Sequence, residues 1–161
     1  HDNVQFIALS YLPTVHAAAG DFEAAERAAR EALVFGEARS AGWVTAAYVR
    51  LGGILLLRGH RDEPLAMLEK AVSAPENYAS GGAEGLRAFA MAALGHEQAK
   101  GACDRAMGFL PRPGNSRSLG SWLATLNLTQ ALALSGRREE AARLGADADI
   151  PKRIQYKKFS R

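Results

Sequence analysis

The sequence is poor in the features that mark most enzymes, disulfide-rich proteins and membrane proteins. A single cysteine, Cys103, excludes an internal disulfide and a thiolate metal site, and it is compatible with a reducing compartment. Sixteen glycines and six prolines are too few, among 161 residues, for a low-complexity chain. No apolar run approaches the roughly 18–20 residues that span a bilayer. We therefore expect a cytoplasmic protein without a membrane segment.

Catalytic motifs are also missing from the sequence. It contains no Gly-Xaa-Ser-Xaa-Gly stretch, no phosphate-binding glycine loop and no dinucleotide fingerprint. The paired carboxylates Asp62-Glu63 and Glu139-Glu140 stand at predicted helix starts, where the helix dipole favours negative charge. Because no nucleophile is matched with a base, the sequence predicts no enzymatic activity, no cofactor and no metal.

Three histidines and the cysteine are predicted to be structural. His60 and His96 each follow a glycine at a predicted turn, where a solvated side chain is favoured over a shared metal site. His16 falls at a packing position and is interpreted as a core histidine. Cys103 falls where a helix packs, so a buried thiol is favoured over a nucleophile.

Charge is distributed unevenly along the chain. Residues 1–40 carry six acidic and three basic side chains, whereas residues 100–161 carry five acidic and twelve basic ones. We interpret residues 149–161 as a basic tail or linker, with Lys152, Arg153, Lys157, Lys158 and Arg161. Because Tyr156 and Phe159 lie among these cations, contact with nucleic-acid phosphates and bases is an alternative function.

The residues that are abundant favour helices. Alanine is frequent, whereas valine and isoleucine are few. Apolar residues at three- and four-residue spacing predict helices over about 3–19, 21–38, 41–58, 62–73, 83–94, 96–109, 118–135 and from about 137 onward. Asp21 and Asp62 are the predicted N-caps of the helices that follow them. Pro13 lies inside the first helix, so we expect either a bend or a later helix start.

A short motif recurs and divides the chain into helical hairpins. In residues 18–29 a glycine can end one helix, Asp21 can cap the next, and alanines recur on one helix face. Ala25, Pro64, Ala99 and Ala141 serve as anchors, at intervals of 39, 35 and 42 residues. Thirteen residues before them stand Leu12, Leu51, Leu86 and Leu128, and seven residues after them stand Ala32, Ala71, Ala106 and Ala148. We expect the four leucines to form a packed column, with Leu12 contributing less at the end of the array.

This pattern resembles the tetratricopeptide repeat (TPR) family, whose unit is two antiparallel helices in about 34 residues. Gly20, Gly59, Ala99 and Gly136 are among the residues that match the family's small and helix-ending positions. The resemblance implies an all-α fold, a right-handed superhelix of about four helix-turn-helix repeats over residues 1–148. The repeats are expected at about 3–38, 41–75, 82–111 and 117–148.

The spacing of the repeats also bears on the parent protein. Two intervals near 40 residues are similar to those in the regulatory regions of large bacterial signalling proteins, which include LuxR-type ATP-dependent transcription activators. The chain opens with His1-Asp2-Asn3 rather than a methionine. We therefore expect a piece of a larger bacterial signalling or transcription-regulatory protein.

In a TPR superhelix the first helices line a concave face that usually holds peptides or partner helices. The asparagines and lysines with which some members grip a terminal carboxylate are missing here, and Arg50 is the one cation at a corresponding position. A small and apolar groove favours an amphipathic helix of a protein partner or of the parent chain. The predicted groove comprises Ile7, Arg50, Gly53, Leu56, Leu57, Met91, Leu123, Leu126 and Gln130. An alternative is a sensor domain with a small effector inside the superhelix.

Overall fold

A computed structural model describes residues 2–39, 41–75, 79–110 and 119–147. These residues form eight helices and the turns between them. The helices are α1 (Asp2–Ala18), α2 (Phe22–Glu37), α3 (Ala41–Leu57), α4 (Asp62–Ser73), α5 (Ser80–Ala93), α6 (Ala99–Gly108), α7 (Leu119–Leu134) and α8 (Arg138–Asp147). The all-α prediction is confirmed.

Four glycines end the odd-numbered helices in the same way. Gly20, Gly59, Gly95 and Gly136 have φ between 69° and 82°, a left-handed conformation that side chains with a Cβ disfavour. In each case the next residue's N–H bonds to the carbonyl four residues before the glycine, at 2.8–3.1 Å, which is the Schellman arrangement. These four turn glycines define hairpins 1 to 4 and provide a common origin for comparing the first helices.

The predictions for helix starts and for Pro13 had mixed outcomes. Asp21 caps α2, since its Oδ1 accepts the Ala24 N–H at 2.9 Å. The prediction for Asp62 is wrong, because α4 begins at Asp62 itself and no side chain caps it. Asp62 instead places its charge in the first turn, where the dipole favours it. Helix α1 starts at Asp2 and continues through Pro13, which is buried.

The hairpins stack in two layers. Each first helix packs against its second helix, and α2, α4 and α6 each pack against the first helix of the next hairpin. The first helices α1, α3, α5 and α7 also contact one another in sequence, whereas the backbones of the described second helices do not approach each other. An array whose first helices are closest together curves toward them, so these helices form the inner layer of a helical-repeat superhelix.

The predicted leucine column is correct in only two hairpins. Leu51 and Leu128 are completely buried, but Leu12 is 42% exposed and Leu86 is only partly buried. In hairpin 3 the turn glycine precedes the anchor by four residues rather than five. Counting eight residues back from Gly95 therefore gives Arg87, which is 3% exposed and occupies the place of the leucine. The alanine column is buried at Ala32, Ala71 and Ala106, and Ala148 lies outside the described residues.

Arg87 is accommodated by acidic partners on two helices. Its Nε donates to Glu69 Oε1 of α4 at 2.6 Å, and its Nη1 donates to Glu84 Oε2 of α5 at 3.1 Å. Glu84 is buried as well. The pair therefore satisfies charges that would otherwise be desolvated without compensation.

Helices α5 and α7 make the most extensive contact between any two helices in the described residues. Gly85 allows it, since a Cβ at that position would lie 2.8 Å from the Ala124 carbonyl oxygen. Leu128, Ala131 and Leu132 of α7 complete a core with Met91 of α5 and Cys103 of α6. The main core of the C-terminal half is thus formed jointly by α5, α6 and α7.

Candidate partner-binding surface

An inner stripe runs along the four first helices. It consists of the residues 13, 9, 6 and 2 positions before each turn glycine, a spacing that places them on one helix face. All of them are exposed or half-buried, whereas the opposite faces of α3, α5 and α7 are packed in the core. The inner stripe comprises Ile7, Tyr11, Thr14 and Ala18; Ala46, Arg50, Gly53 and Leu57; Gly82, Leu86, Phe89 and Ala93; and Leu123, Asn127, Gln130 and Leu134.

Most of the groove residues named from the sequence lie on or beside this stripe. Ile7, Arg50, Gly53, Leu57, Leu123 and Gln130 belong to it. Leu126 is exposed and Leu56 is half-buried at flanking positions. Met91 does not belong to the groove, because it is 4% exposed and packs in the core with Cys103 and Leu132. It stands four residues before Gly95, as Leu55 stands before Gly59, and both are core positions.

Four large side chains of the inner stripe were not predicted from the sequence. They are Tyr11, Leu86, Phe89 and Leu134. Leu86 was assigned to the core because the repeats were aligned on the second helix, which is displaced by one residue in hairpin 3. Alignment on the turn glycines would have placed Leu86 and Phe89 on the inner stripe.

Arg50 is the one charged residue of the inner stripe, and it is held by α1. Its Nη1 donates to Thr14 Oγ1 at 2.9 Å, and its guanidinium lies 4.9 Å from the centre of the Tyr11 ring. Thr14 and Tyr11 are themselves stripe residues of the preceding helix. Arg50 thus joins two first helices and leaves the stripe largely apolar.

A charged cleft lies on the outer side of the array, near the turns. It is lined by Glu23, Glu26, Arg27, Arg30 and Arg58. Burial raises the pKa of Glu26, but hydrogen bonds and charges of Arg30 and Arg58 outweigh this effect, and the pKa falls below its usual value. Ligand pockets are mostly apolar with a few convergent polar groups, so this self-paired cleft does not favour an effector site.

The cysteine and the turn histidines have ordinary structural surroundings. Cys103 is completely buried, as predicted, and burial raises the pKa of its thiol. His60 is exposed, with Nδ1 3.8 Å from Glu63, and His96 Nδ1 accepts the Gln98 N–H at 3.2 Å. Within the described ranges, no three His, Cys, Asp or Glu residues are grouped as a metal site would require.

Two further expectations concern the tail and the membrane. The basic tail, with Lys152, Arg153, Lys157, Lys158 and Arg161, lies outside the described residues. Among the helices that the structure describes, none combines the length and the apolarity that a membrane crossing requires.

Comparison with solved structures shows what kind of fold this is. The chain is similar to a kinesin light chain-like protein of Podosopora anserina with nearly identical TPR-like repeats, of which a single-residue variant superimposes with a TM-score of 0.61. The identity is 16%, over 88% of this chain and 71% of that one. A second crystal structure of that protein gives a TM-score of 0.58 at 16% identity, over 88% and 72% of the two chains. No protein family and no curated protein matched the sequence. The chain therefore has a TPR-like helical-repeat fold.

Proposed function

We propose that this chain is a protein-interaction domain whose inner stripe binds an amphipathic helix. The observation that supports the proposal is the apolar character of the stripe. Leu57, Leu123 and Leu134 are each about half exposed or more, and Arg50 is already engaged by Thr14 and Tyr11. Peptide-binding grooves of this kind take the apolar face of a helix through anchors at three- and four-residue spacing.

The proposal extends to the setting of the domain. We place it in a larger, cytoplasmic bacterial signalling or transcription-regulatory protein, in which the bound helix belongs to a partner or to the parent chain. Support for this setting comes from the repeat intervals near 40 residues. The cations and aromatic residues of the C-terminal tail favour nucleic-acid contact as the second candidate function.

Selection from a displayed library of helical peptides tests the proposed function. The wild-type protein is the target, and the double variant Leu57→Glu with Leu123→Glu removes peptides that bind elsewhere. We expect enriched peptides with apolar residues at three- and four-residue spacing, because the stripe presents apolar side chains in that geometry. Their affinity should change little with added salt, since few charges take part.

Two control variants make this result specific. Val34→Glu introduces the same charge at an exposed apolar position of α2, away from the inner stripe, and should leave the selected peptides bound. Arg50→Ala should weaken binding only modestly. Enrichment of acidic C-terminal peptides that lose affinity in Arg50→Ala and in added salt would contradict the proposal.

A further inference from the structure

Helix α1 exposes a second apolar surface, separate from the inner stripe. We name it the leading face and define it by Ala8, Leu12 and Val15, which stand 12, 8 and 5 residues before Gly20. All three are exposed, Val15 to 62% and Leu12 to 42%. Contiguous apolar residues at helical spacing on a surface indicate an interaction site.

The equivalent residues of the other three first helices are all buried. Twelve residues before the turn glycine stands an alanine in every hairpin, and Ala47, Ala83 and Ala124 are at most 3% exposed. The other equivalents are Leu51, Arg87 and Leu128 at the second position and Ile54, Ala90 and Ala131 at the third, and all of them are buried. The leading face of α1 therefore has the residue types of a packed surface without its cover.

The structure shows what covers this face in hairpin 2. Leu51 and Ile54 pack in one core cluster with Ala25 and Ala29 of α2. Gly36 brings the two backbones so close that a Cβ there would lie 3.2 Å from Val44. The helix that covers this face of α3 is thus α2. Its small residues stand at four- and seven-residue spacing, and they let a leucine side chain approach the α2 backbone.

We infer that the leading face of α1 docks an alanine-faced helix of the kind that α2 presents to α3, supplied by another helical hairpin. This interface would continue the established α2–α3 contact one step beyond α1. Helix α1 carries a single carboxylate, that of Asp2, and it pairs with Arg39 at 3.4 Å. The leading face therefore presents no negative charge to an apolar helix that packs on it. End repeats of such arrays need a polar outer face for solubility, and the leading face is instead apolar.

A peptide with the sequence of residues 21–39 is the probe. It is stapled through positions 23 and 27, which are exposed in α2 and lie opposite its alanine face, and it carries a fluorophore. Titration with the 161-residue protein, followed by fluorescence anisotropy, should show saturable binding. Leu12→Glu or Val15→Glu should weaken it by at least about tenfold, since a buried carboxylate would face the alanines.

Three controls separate this site from other surfaces. A peptide with glutamate in place of Ala25 and Ala29 should not bind. Val34→Glu should leave the affinity within about twofold, because Val34 is 68% exposed on α2 and does not belong to the leading face of α1. The variant Leu57→Glu with Leu123→Glu should also leave the affinity for the stapled peptide within about twofold. A failure of the inner stripe as a binding site can therefore be distinguished from a failure of this inference.

Several outcomes would overturn the inference. These are absence of saturable binding to the wild-type protein, and binding that survives Val15→Glu. Sedimentation equilibrium adds a third, since self-association of the wild type that Val15→Glu abolishes would identify the occupant as a second copy of this chain. A monomeric protein whose leading face binds the stapled peptide is the expected result.

Discussion

The second and third hairpins solve the same packing problem with different residues. At eight residues before the turn glycine, the α2–α3 seam holds Leu51 against Ala25 and Ala29, whereas the α4–α5 seam holds Arg87. Helices α2 and α3 also approach each other over a longer contact than α4 and α5 do. An arginine reaches farther than a leucine, so its guanidinium can extend across this seam to Glu69 of α4.

The comparison shows that the side chain at this position is buried but need not be apolar, provided that its polar groups have hydrogen-bond partners. Arg87 can be buried because Glu84 and Glu69 provide acceptors for its donors. Replacing such a pair by apolar residues is often neutral or stabilising, so the pair is weak evidence of extra stability. We hypothesise that it instead selects the register between α4 and α5, and the variants below test both statements.

Removal of one member of the buried pair should have the largest effect. In Arg87→Ala the carboxylate of Glu84 stays buried without its counter-charge, and the free energy of unfolding should fall by about 3–5 kcal/mol. Urea denaturation followed by circular dichroism measures the loss. Arg61→Ala is the matched control, because Arg61 is exposed, and it should change stability by less than about 0.5 kcal/mol.

The double variant Arg87→Leu with Glu84→Leu tests whether stability depends on the two charges or only on the volume that the two side chains fill. It should recover most of the stability, ending within about 1 kcal/mol of the wild type or above it. If the double variant is as unstable as Arg87→Ala, the pair contributes more than mutual neutralisation. Full stability with altered hydrogen-exchange protection confined to α4 and α5 would support the role in register.

Truncation of a leucine should cost more where a neighbouring helix covers it than where solvent reaches it. Leu51→Ala removes a completely buried side chain, so the free energy of unfolding should fall by about 2–5 kcal/mol. Leu12→Ala makes the same change at the equivalent position of α1, where the side chain is 42% exposed, and should cost clearly less. Equal losses in urea denaturation would contradict the statement that Leu12 lies uncovered on α1 while Leu51 is enclosed.

The rim of the α2–α3 seam should show the smallest effect. Glu26 of α2 pairs there with Arg30 and with Arg58, whose side chains are 46% and 31% exposed. The Glu26 side chain is 13% exposed, but solvent reaches both arginines and screens their charges, so Glu26→Gln should lower the free energy of unfolding by at most about 1 kcal/mol. The contrast with Arg87→Ala tests whether burial, rather than the number of ion pairs, decides the energy.

The same group gives a pH dependence with a defined sign. The folded state holds the pKa of Glu26 below its ordinary value of 4.5, so its contribution is present above pH 4.5 and is lost as the pH falls through the folded pKa. Thermal unfolding of Glu26→Gln relative to the wild type, compared between neutral pH and pH about 3, measures this. A difference that grows toward low pH would contradict the assignment.

The hairpins were predictable because their signals are local. A left-handed glycine, a following cap residue and apolar spacing act within one or two helical turns, and all four turn glycines adopt the predicted conformation. The all-α repeat architecture followed from their recurrence. Helical spacing likewise gives Ile7, Leu57 and Leu123 corresponding exposed positions on their helices, whereas partner binding at the groove stays a prediction.

The errors arose where the outcome depended on a neighbouring helix. The residues of hairpin 3 do not reveal by themselves whether Leu86 or Arg87 is buried. Either face of α5 could be the buried one until the positions of α4 and α7 are known. Glu69 of α4 provides an acceptor for the buried Arg87, and the core formed by α5, α6 and α7 encloses Met91. Leu12 is a leucine like Leu51, but no helix of the described chain covers it.

The sequence by itself thus determined where helices end, how they pair into hairpins and which residues share a helix face. Those properties depend on backbone conformation and on interactions within a few residues. The tertiary structure alone decided which of the shared faces is enclosed, since burial is a property of two surfaces. For that reason Arg87 lies in the core while Leu12 faces solvent.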